Sequence, residues 1–427
     1  MNYIETINYL ESIEKFGIQP GLHRMHALLE EMGNPQKKLK YIHVAGTNGK
    51  GSTITFLNSI LTESKYRIGV YTSPHIHKWN ERIKVNNQYI TDEEFSKVNS
   101  YVKNKVTILL QKGFEHPTTF EITTAAAFQF FYEKKCELVL LEAGLGGEFD
   151  ATNVIDFAEV SIITKISFDH LDILGSTLRE IARTKSGIIK EGTTLVLHSQ
   201  DYEAENEIVK TVQNKNASLI KPNFDEIKVL KSDIEGFVFN YSNFTNLLIT
   251  MLGEHQIRNA VIAINACLAL NQKKDFKISD DDIRIGISKA YWLGRMEVIN
   301  ENPLVIIDGA HNEDGVANLV NSLSKYFPDQ KIKFIIGVLQ DKNYKKMIEL
   351  ILPIARSIST ITPSNNRGLS SKVLAKCVED QQFDDIDVFE SMQEAIRSSL
   401  NSLGENEVIC IMGSLYIIGE AREFFNK

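Results

Sequence analysis

Lys40-Tyr41-Ile42-His43-Val44-Ala45-Gly46-Thr47-Asn48-Gly49-Lys50-Gly51-Ser52-Thr53 reads as a short buried strand running into a glycine loop. Ile54, Phe56, Leu57, Ile60 and Leu61 then recur at helical spacing. Such a loop lets backbone N–H groups approach phosphate oxygens closely, and the helix N-terminus adds partial positive charge. As a P-loop, it would bring Lys50 to the β- and γ-oxygens and Ser52 or Thr53 to a magnesium ion. The usual pattern sets Ser or Thr directly after the lysine; here Gly51 intervenes and Ser52 comes one place late. The competing reading is a tight strand-to-helix turn of any α/β protein. The strand and helix on either side favour nucleotide.

Outward from this loop, residues 66–71, 137–141, 160–166 and 195–197 read as strands. Residues 2–32 (broken at Pro20-Gly21), 92–112 and 119–134 read as helices. Leu138-Val139-Leu140-Leu141 is an unbroken apolar run, the mark of a parallel strand buried on both faces. Strands alternating with helices predict an α/β fold with an open, mostly parallel sheet, whose ligands bind beyond the carboxyl ends of the strands. The polar clusters fall at those ends: Thr72-Ser73-Pro74-His75, Glu142 to Gly147, and Ser167-Phe168-Asp169-His170. Residues 221–252 read as a small antiparallel patch, followed by a helical stripe from Ile257 to Leu268. The pattern restarts after Trp292. A strand at 304–307 ends in Asp308-Gly309-Ala310-His311-Asn312, a helix follows, and 333–338, 357–362 and 407–412 are further strands. The chain therefore divides into a larger domain that carries the glycine loop, 1–297, and a smaller α/β domain, 298–427.

The chain has 427 residues, enough for two or three domains with cores of their own. A net charge of -8 argues against a nucleic-acid surface as the main business, while leaving room for a local phosphate site. Four cysteines without a C-x-x-C read as free thiols in a reducing compartment. The polar start, Met1-Asn2-Tyr3-Ile4-Glu5, does not read as a signal peptide, and no apolar run reaches membrane-spanning length. The expectation is a cytoplasmic enzyme with neither nucleic acid nor membrane as partner.

Single residues carry two readings each. Glu142, between a buried strand and a glycine turn, is placed to hold magnesium, or is a solvated loop glutamate. Ser73 precedes Pro74 in what could be an ordinary turn. His75 and His77 suggest metal ligation, but no cysteine or acidic partner completes a ligand set, so the bland reading is preferred. His170 stands between Asp169 and Asp172 on the functional edge. Lys185 reads from spacing as a surface helical lysine. Gln256 and Asn259 lie off the apolar stripe, solvated or reading a base or ribose. Arg295, at the hinge, could clamp a phosphate, and Asp308, at a strand end, could take a ribose hydroxyl.

These motifs, with Asp150-Ala151-Thr152-Asn153, Leu174-Gly175, Trp292 with Gly294-Arg295, and Gly413-Ser414-Leu415, occur in one order. Over roughly residues 18–420 the chain resembles folylpolyglutamate synthase and dihydrofolate synthase, the folate branch of the Mur ligase family. The resemblance implies a P-loop ATPase domain followed by a Rossmann-like lobe, joining L-glutamate to a folate carboxylate at the expense of ATP. Asn48, Gly49, Lys50, Gly51 and Ser52 would cradle the phosphates, and Asn259, Arg295 and Asp308 would contact ATP. Ser52, Ser73, Glu142, His170 and Lys185 would hold two Mg2+ ions, Lys185 as a carbamate. His311 would lie near the γ-phosphate or the incoming amine. Thr118, Thr119, Phe120, Glu121, Phe149, Asp150 and Ala151 would line the pterin site. The family often has arginine where Glu148 stands, and proline at Leu293 and Glu313. Glu148 reverses a charge near the expected pocket and bears on pteroate preference.

The mechanism expected is γ-phosphoryl transfer to a carboxylate, giving an acyl phosphate that the glutamate amine attacks. The substrates would be ATP, L-glutamate and a reduced folate or dihydropteroate, the enzyme a monomer. The rivals are an enzyme acting on folates alone, a Mur-type amide ligase acting on another carboxylate, and a nucleotide-switched binding protein that ligates nothing.

Overall fold

The computed structural model describes residues 1–17, 19–404 and 407–425. The first sheet has β1 (Tyr41–Ala45), β2 (Ile68–Tyr71), β3 (Ile83–Val85), β4 (Gln88–Tyr89), β5 (Leu138–Glu142), β6 (Val160–Ile163), β7 (Thr194–Leu197) and β8 (Ser218–Ile220). Their order is β4-β3-β2-β5-β1-β6-β7-β8, parallel except for the β3 and β4 edge. Strand β1 is buried at all five positions, which is why its sequence does not alternate. Ile42 and Val44 face the helix Lys50–Glu63; Tyr41, on the other face, meets the helix Thr119–Glu133. The chain reaches β5 on one side of β1 and crosses to β6 on the other. This makes the carboxyl end of β1 a topological switch point, where open α/β sheets bind ligands.

A three-stranded antiparallel sheet, β9 (Lys228–Asp233), β10 (Gly236–Tyr241) and β11 (Phe244–Ile249), packs Phe237, Phe239 and Leu247 against the same core as the helix Lys50–Glu63. The second large sheet holds β12 (Glu297–Glu301), β13 (Leu304–Asp308), β14 (Ile332–Ile336), β15 (Ala355–Thr360), β16 (Ile386–Val388) and β17 (Val408–Met412) in the order β12-β13-β17-β14-β15-β16. Helices cover both of its faces, Glu313–Tyr326 among those on one and Leu415–Phe424 on the other. Strand β17 enters between β13 and β14, so this sheet has its own switch point at Asp308 and Gly413.

Residues 2–32 form two helices, Tyr3–Ser12 and His23–Glu31, with the expected break at Pro20-Gly21 between them. Other expectations are corrected. The strand expected at 160–166 ends at Ile163, because the backbone beyond it serves the glycine loop. Lys165 O accepts the N–H groups of Thr47 and Asn48. The β3–β4 hairpin was not anticipated. Its turn is Asn86-Asn87, both left-handed at φ 47° and 66°, a pair typical of two-residue hairpins. All four cysteines are buried and unpaired. Among the described residues, no helix is long and apolar enough to cross a membrane.

Candidate active site

The two switch points face each other across a cavity of about 230 Å³. The glycine loop forms its floor. Gly46 has φ 149°, and a Cβ there would lie 1.8 Å from Thr164 Oγ1; at Gly49, φ 88°, it would lie 2.6 Å from Asn259 Oδ1. Only glycine lets the loop pass this close to its neighbours. The helix Lys50–Glu63 starts without a side-chain cap, so its first N–H groups are free for an anion. Lys50 Nζ folds back onto Gly46 O and Thr47 O, both at 3.1 Å.

Lys185 is the largest departure from the sequence reading. It is 4% exposed, not on the surface. In the helix Leu178–Ser186 it shares the inward face of Ile181 and Ala182, at i+4 and i+3. Its Nζ donates to Gly46 O at 2.8 Å, the carbonyl that Lys50 also uses. Burial, and then the neighbouring Lys50 charge, lower its pKa to about 7. Gln256 and Asn259 are likewise buried rather than solvated. Their helix, Glu254–Asn271, is covered by the helix Lys50–Glu63, by β6 and β7, and by Glu313–Tyr326. Asn259 Nδ2 donates to Gln256 Oε1 at 3.0 Å, which aims its oxygen at Gly49.

Glu142 ends β5 and is 5% exposed. Its Oε2 accepts the Ser73 N–H at 3.1 Å. Burial raises its pKa, against the pull of Lys50. Among the described residues no cation stands within 4 Å of it in an ion pair. Asp308 ends β13 and accepts the N–H groups of Met296 and Ala310 at 2.8 and 2.7 Å. Its pKa is raised by burial, with Arg295 opposing. His311 Nδ1 meets Gly309 O at 2.7 Å; a carbonyl only accepts, so this nitrogen carries the proton. Burial, then Lys342, lower the His311 pKa to about 4, which leaves Nε2 a free base at neutral pH.

The nucleotide and metal residues named from the sequence, with His311, all line this one cavity. The pterin set does not: none of its seven residues is on that lining. Thr118 and Glu121 form the capping box of the helix Thr119–Glu133, and Glu121 also pairs with buried Arg24 at 3.2 Å. Thr119 Oγ1 donates to Leu10 O, and Phe120 packs against Gly144. Asp150 spends its carboxylate on the N–H groups of Leu145 and Thr152, at 2.8 and 2.9 Å, and Ala151 is buried beside it. Phe149 is exposed, as is Glu148. These residues stand behind the Gly144–Gly147 turn that follows Glu142.

A cross-cavity set was missed. Asp169 accepts Lys342 Nζ at 2.7 Å, and Asn48 Nδ2 donates to Asn312 Oδ1 and Asp314 Oδ2 at 3.1 and 2.6 Å. Burial raises the Asp169 pKa, but Lys342, His170 and His311 outweigh it and hold the carboxyl well below its usual range. Lys342 lies six residues beyond β14, too far past the strand end and Gly337 for either to single it out.

Residues 44–267 match the Mur ligase middle domain and 294–415 the Mur ligase glutamate ligase domain. The chain is 37% identical to a dihydrofolate synthase/folylpolyglutamate synthase of Bacillus subtilis, over 99% of this chain and 98% of that protein. A Mycobacterium tuberculosis folylpolyglutamate synthase complexed with ADP and AMPPCP superposes with a TM-score of 0.91 at 28% identity, covering 100% and 99% of the two chains. E. coli FolC, in complex with DHPP and ADP, gives 0.88 at 26% identity, covering 100% and 98%.

Proposed function

Since this chain belongs to the Mur ligase family, in its group of folylpolyglutamate and dihydrofolate synthases, we infer that it is an ATP-dependent ligase joining L-glutamate to a folate, and to 7,8-dihydropteroate. The observation that carries the reading is the meeting of a phosphate loop from one sheet with Asp308 and His311 from the other on a single cavity.

Lys50 turns from its two loop carbonyls to the triphosphate and, with the free N–H groups of its helix, draws charge from the γ-phosphoryl group. An oxygen of the folate carboxylate attacks the γ-phosphorus and ADP leaves, giving an acyl phosphate. The glutamate amine attacks the acyl carbon and phosphate leaves. His311 Nε2, unprotonated at neutral pH, takes the proton that the ammonium must lose. Asn259, Arg295 and Asp308 hold the nucleotide. The pterin lies against Thr118–Glu121 and Phe149–Ala151, behind the glycine turn.

Two Mg2+ ions fit the oxygen donors of Ser52, Ser73 and Glu142, with His170 as a less typical ligand. The buried Glu142 carboxylate without an ion-pair partner is the feature that suits a divalent cation. When bound, the ions neutralise charge between triphosphate and carboxylate. A bare Lys185 ammonium does not fit such a set; its carbamate does. Neutral Lys185 amine would add to carbon dioxide, forming an N–C bond and releasing a proton. A pKa near 7 keeps that neutral amine available.

The test is phosphate release with ATP, glutamate and each acceptor in turn. Release that requires glutamate together with a folate or dihydropteroate is expected. ATP hydrolysis indifferent to both would leave only a nucleotide-switched binder.

A further inference from the structure

Arg295 sits on the hinge between the sheets, held there by one carboxylate on the cavity and one off it. The backbone N–H on each side of it is tied to a buried carboxylate. Gly294 N–H donates to Glu297 Oε2 at 2.8 Å, and Met296 N–H to Asp308 Oδ2 at 2.8 Å. Gly294 O in turn accepts the Gly309 N–H at 2.8 Å. The turn is left-handed at both flanking positions, with φ 68° at Gly294 and 40° at Met296. A residue with a Cβ rarely holds that conformation unless its surroundings over-determine it. Here the two carboxylates do so. The Arg295 guanidinium then lies on Gly309, where a Cβ would come 2.1 Å from its Nη1.

Asp308 already belongs to the cavity; Glu297 does not. It opens β12, is 6% exposed, and directs its second oxygen away from the site. That oxygen, Oε1, meets the Tyr291 hydroxyl at 2.5 Å and the guanidinium of Arg422. Tyr291 begins the hinge loop. Arg422 is on the helix Leu415–Phe424 of the second domain and is also buried. Arg422 is the cation paired with this buried carboxylate, and the other oxygen is left to grip the loop.

We propose that Glu297 and Arg422 are positioning residues that fix the loop from Tyr291 to Met296 and so aim Arg295 at the nucleotide. The proposal rests on Arg295 contacting ATP, as inferred above. A purely structural pair would staple the two domains and bear equally on every part of the site. A positioning pair acts through Arg295, and its effect vanishes when Arg295 is gone.

A double-mutant cycle separates these. ATP KM in the phosphate-release assay and ADP Kd by calorimetry are measured for Arg295→Ala, Glu297→Gln and the double variant. Each single variant is expected to weaken nucleotide about tenfold, and the double variant to be within about twofold of Arg295→Ala. Arg422→Met should reproduce Glu297→Gln, and Arg422→Lys, which keeps the charge, should restore most of the affinity. If Arg295→Ala binds nucleotide normally, the contact itself is wrong. If Arg295→Ala weakens binding and Glu297→Gln weakens it as much again in that background, the contact stands and the positioning role is overturned. Should Glu297→Gln not fold, Tyr291→Phe removes one hydrogen bond from the same carboxylate and runs the same cycle. A loss that persists without Arg295, or no loss at all, counts against the proposal.

Discussion

At Lys185 spacing and packing point in opposite directions. Between Arg183 and Lys190 it reads as one more solvated cation, yet it is buried under the Gly46 carbonyl with Lys50 alongside. If the group works as a carbamate, Lys185→Ala loses ligation and a small carboxylic acid restores part of it. Lys185→Arg, which keeps the wrong charge, does no better than Ala; normal turnover by Lys185→Arg would end the idea. The amine has a stability signature too. Its folded pKa of about 7 lies below the unfolded value of 10.5, so the unfolded chain binds more protons between those values. The cost of burying the charge is full below pH 7 and is relieved as pH rises toward 10.5. In buffer free of carbon dioxide, Lys185→Met should flatten the rise of Tm with pH across that window. Lys50 was legible at once, because its glycine loop names it; Lys50→Ala should lose at least about a hundredfold in turnover with an unchanged Tm. Lys342 and Asn312, by contrast, act across the cavity, and nothing local to either marks a partner more than 170 residues away.

Among elements, those that carry their function at the carboxyl end of a buried parallel strand were readable: β1, β5 and β13 each show an apolar run broken by a polar turn. The edge strands β3, β4 and β12 were not, since an antiparallel edge is short and exposed on one side and so lacks the continuous apolar run. The residues proposed for the pterin site came only from the resemblance; in the structure Thr118, Glu121 and Asp150 are helix caps and turn holders. The glycine loop allows a sharper test. Gly49→Ala must keep φ 88° with a methyl group 2.6 Å from Asn259 Oδ1. The strain costs about 1–3 kcal/mol and displaces Asn259, so a lower Tm should accompany a raised ATP KM. Gly192, also left-handed at φ 66° but with nothing within 4 Å, is the control: Gly192→Ala should lower Tm and leave ATP KM unchanged.

For the molecule as a whole, the polar groups taken out of water include several histidines, with His255 and His311 among them on the cavity wall. Burial is the first cause of lowered pKa values at His43 and His75, to about 3, and at His198, His255 and His311, to about 4. For a base with a depressed folded pKa the sign is fixed: the unfolded chain takes up protons from about pH 6.5 downward, while the folded chain refuses them until about pH 4 or below. Stability therefore falls as pH drops through this window. Each fully buried histidine contributes up to about 1.4 kcal/mol per pH unit, and His43 and His198 are both nearly inaccessible. Asp169 keeps its charge throughout this range, so the Lys342 bridge survives while the histidines around it are still being held neutral. The expected course is a steep loss of Tm between pH 6.5 and 4. His198→Gln, remote from the chemistry, should soften it without changing turnover at pH 8. His43 sits mid-sheet in β1 with Nε2 on Thr152 Oγ1 at 2.8 Å, so charging it strains the strand that ends in the phosphate loop. Its folded pKa of about 3 lies below this window, so His43 stays neutral there and should not itself weaken nucleotide binding between pH 6.5 and 4. A Tm that stays level from pH 7 to 4 would mean that these imidazoles are solvated in the folded chain.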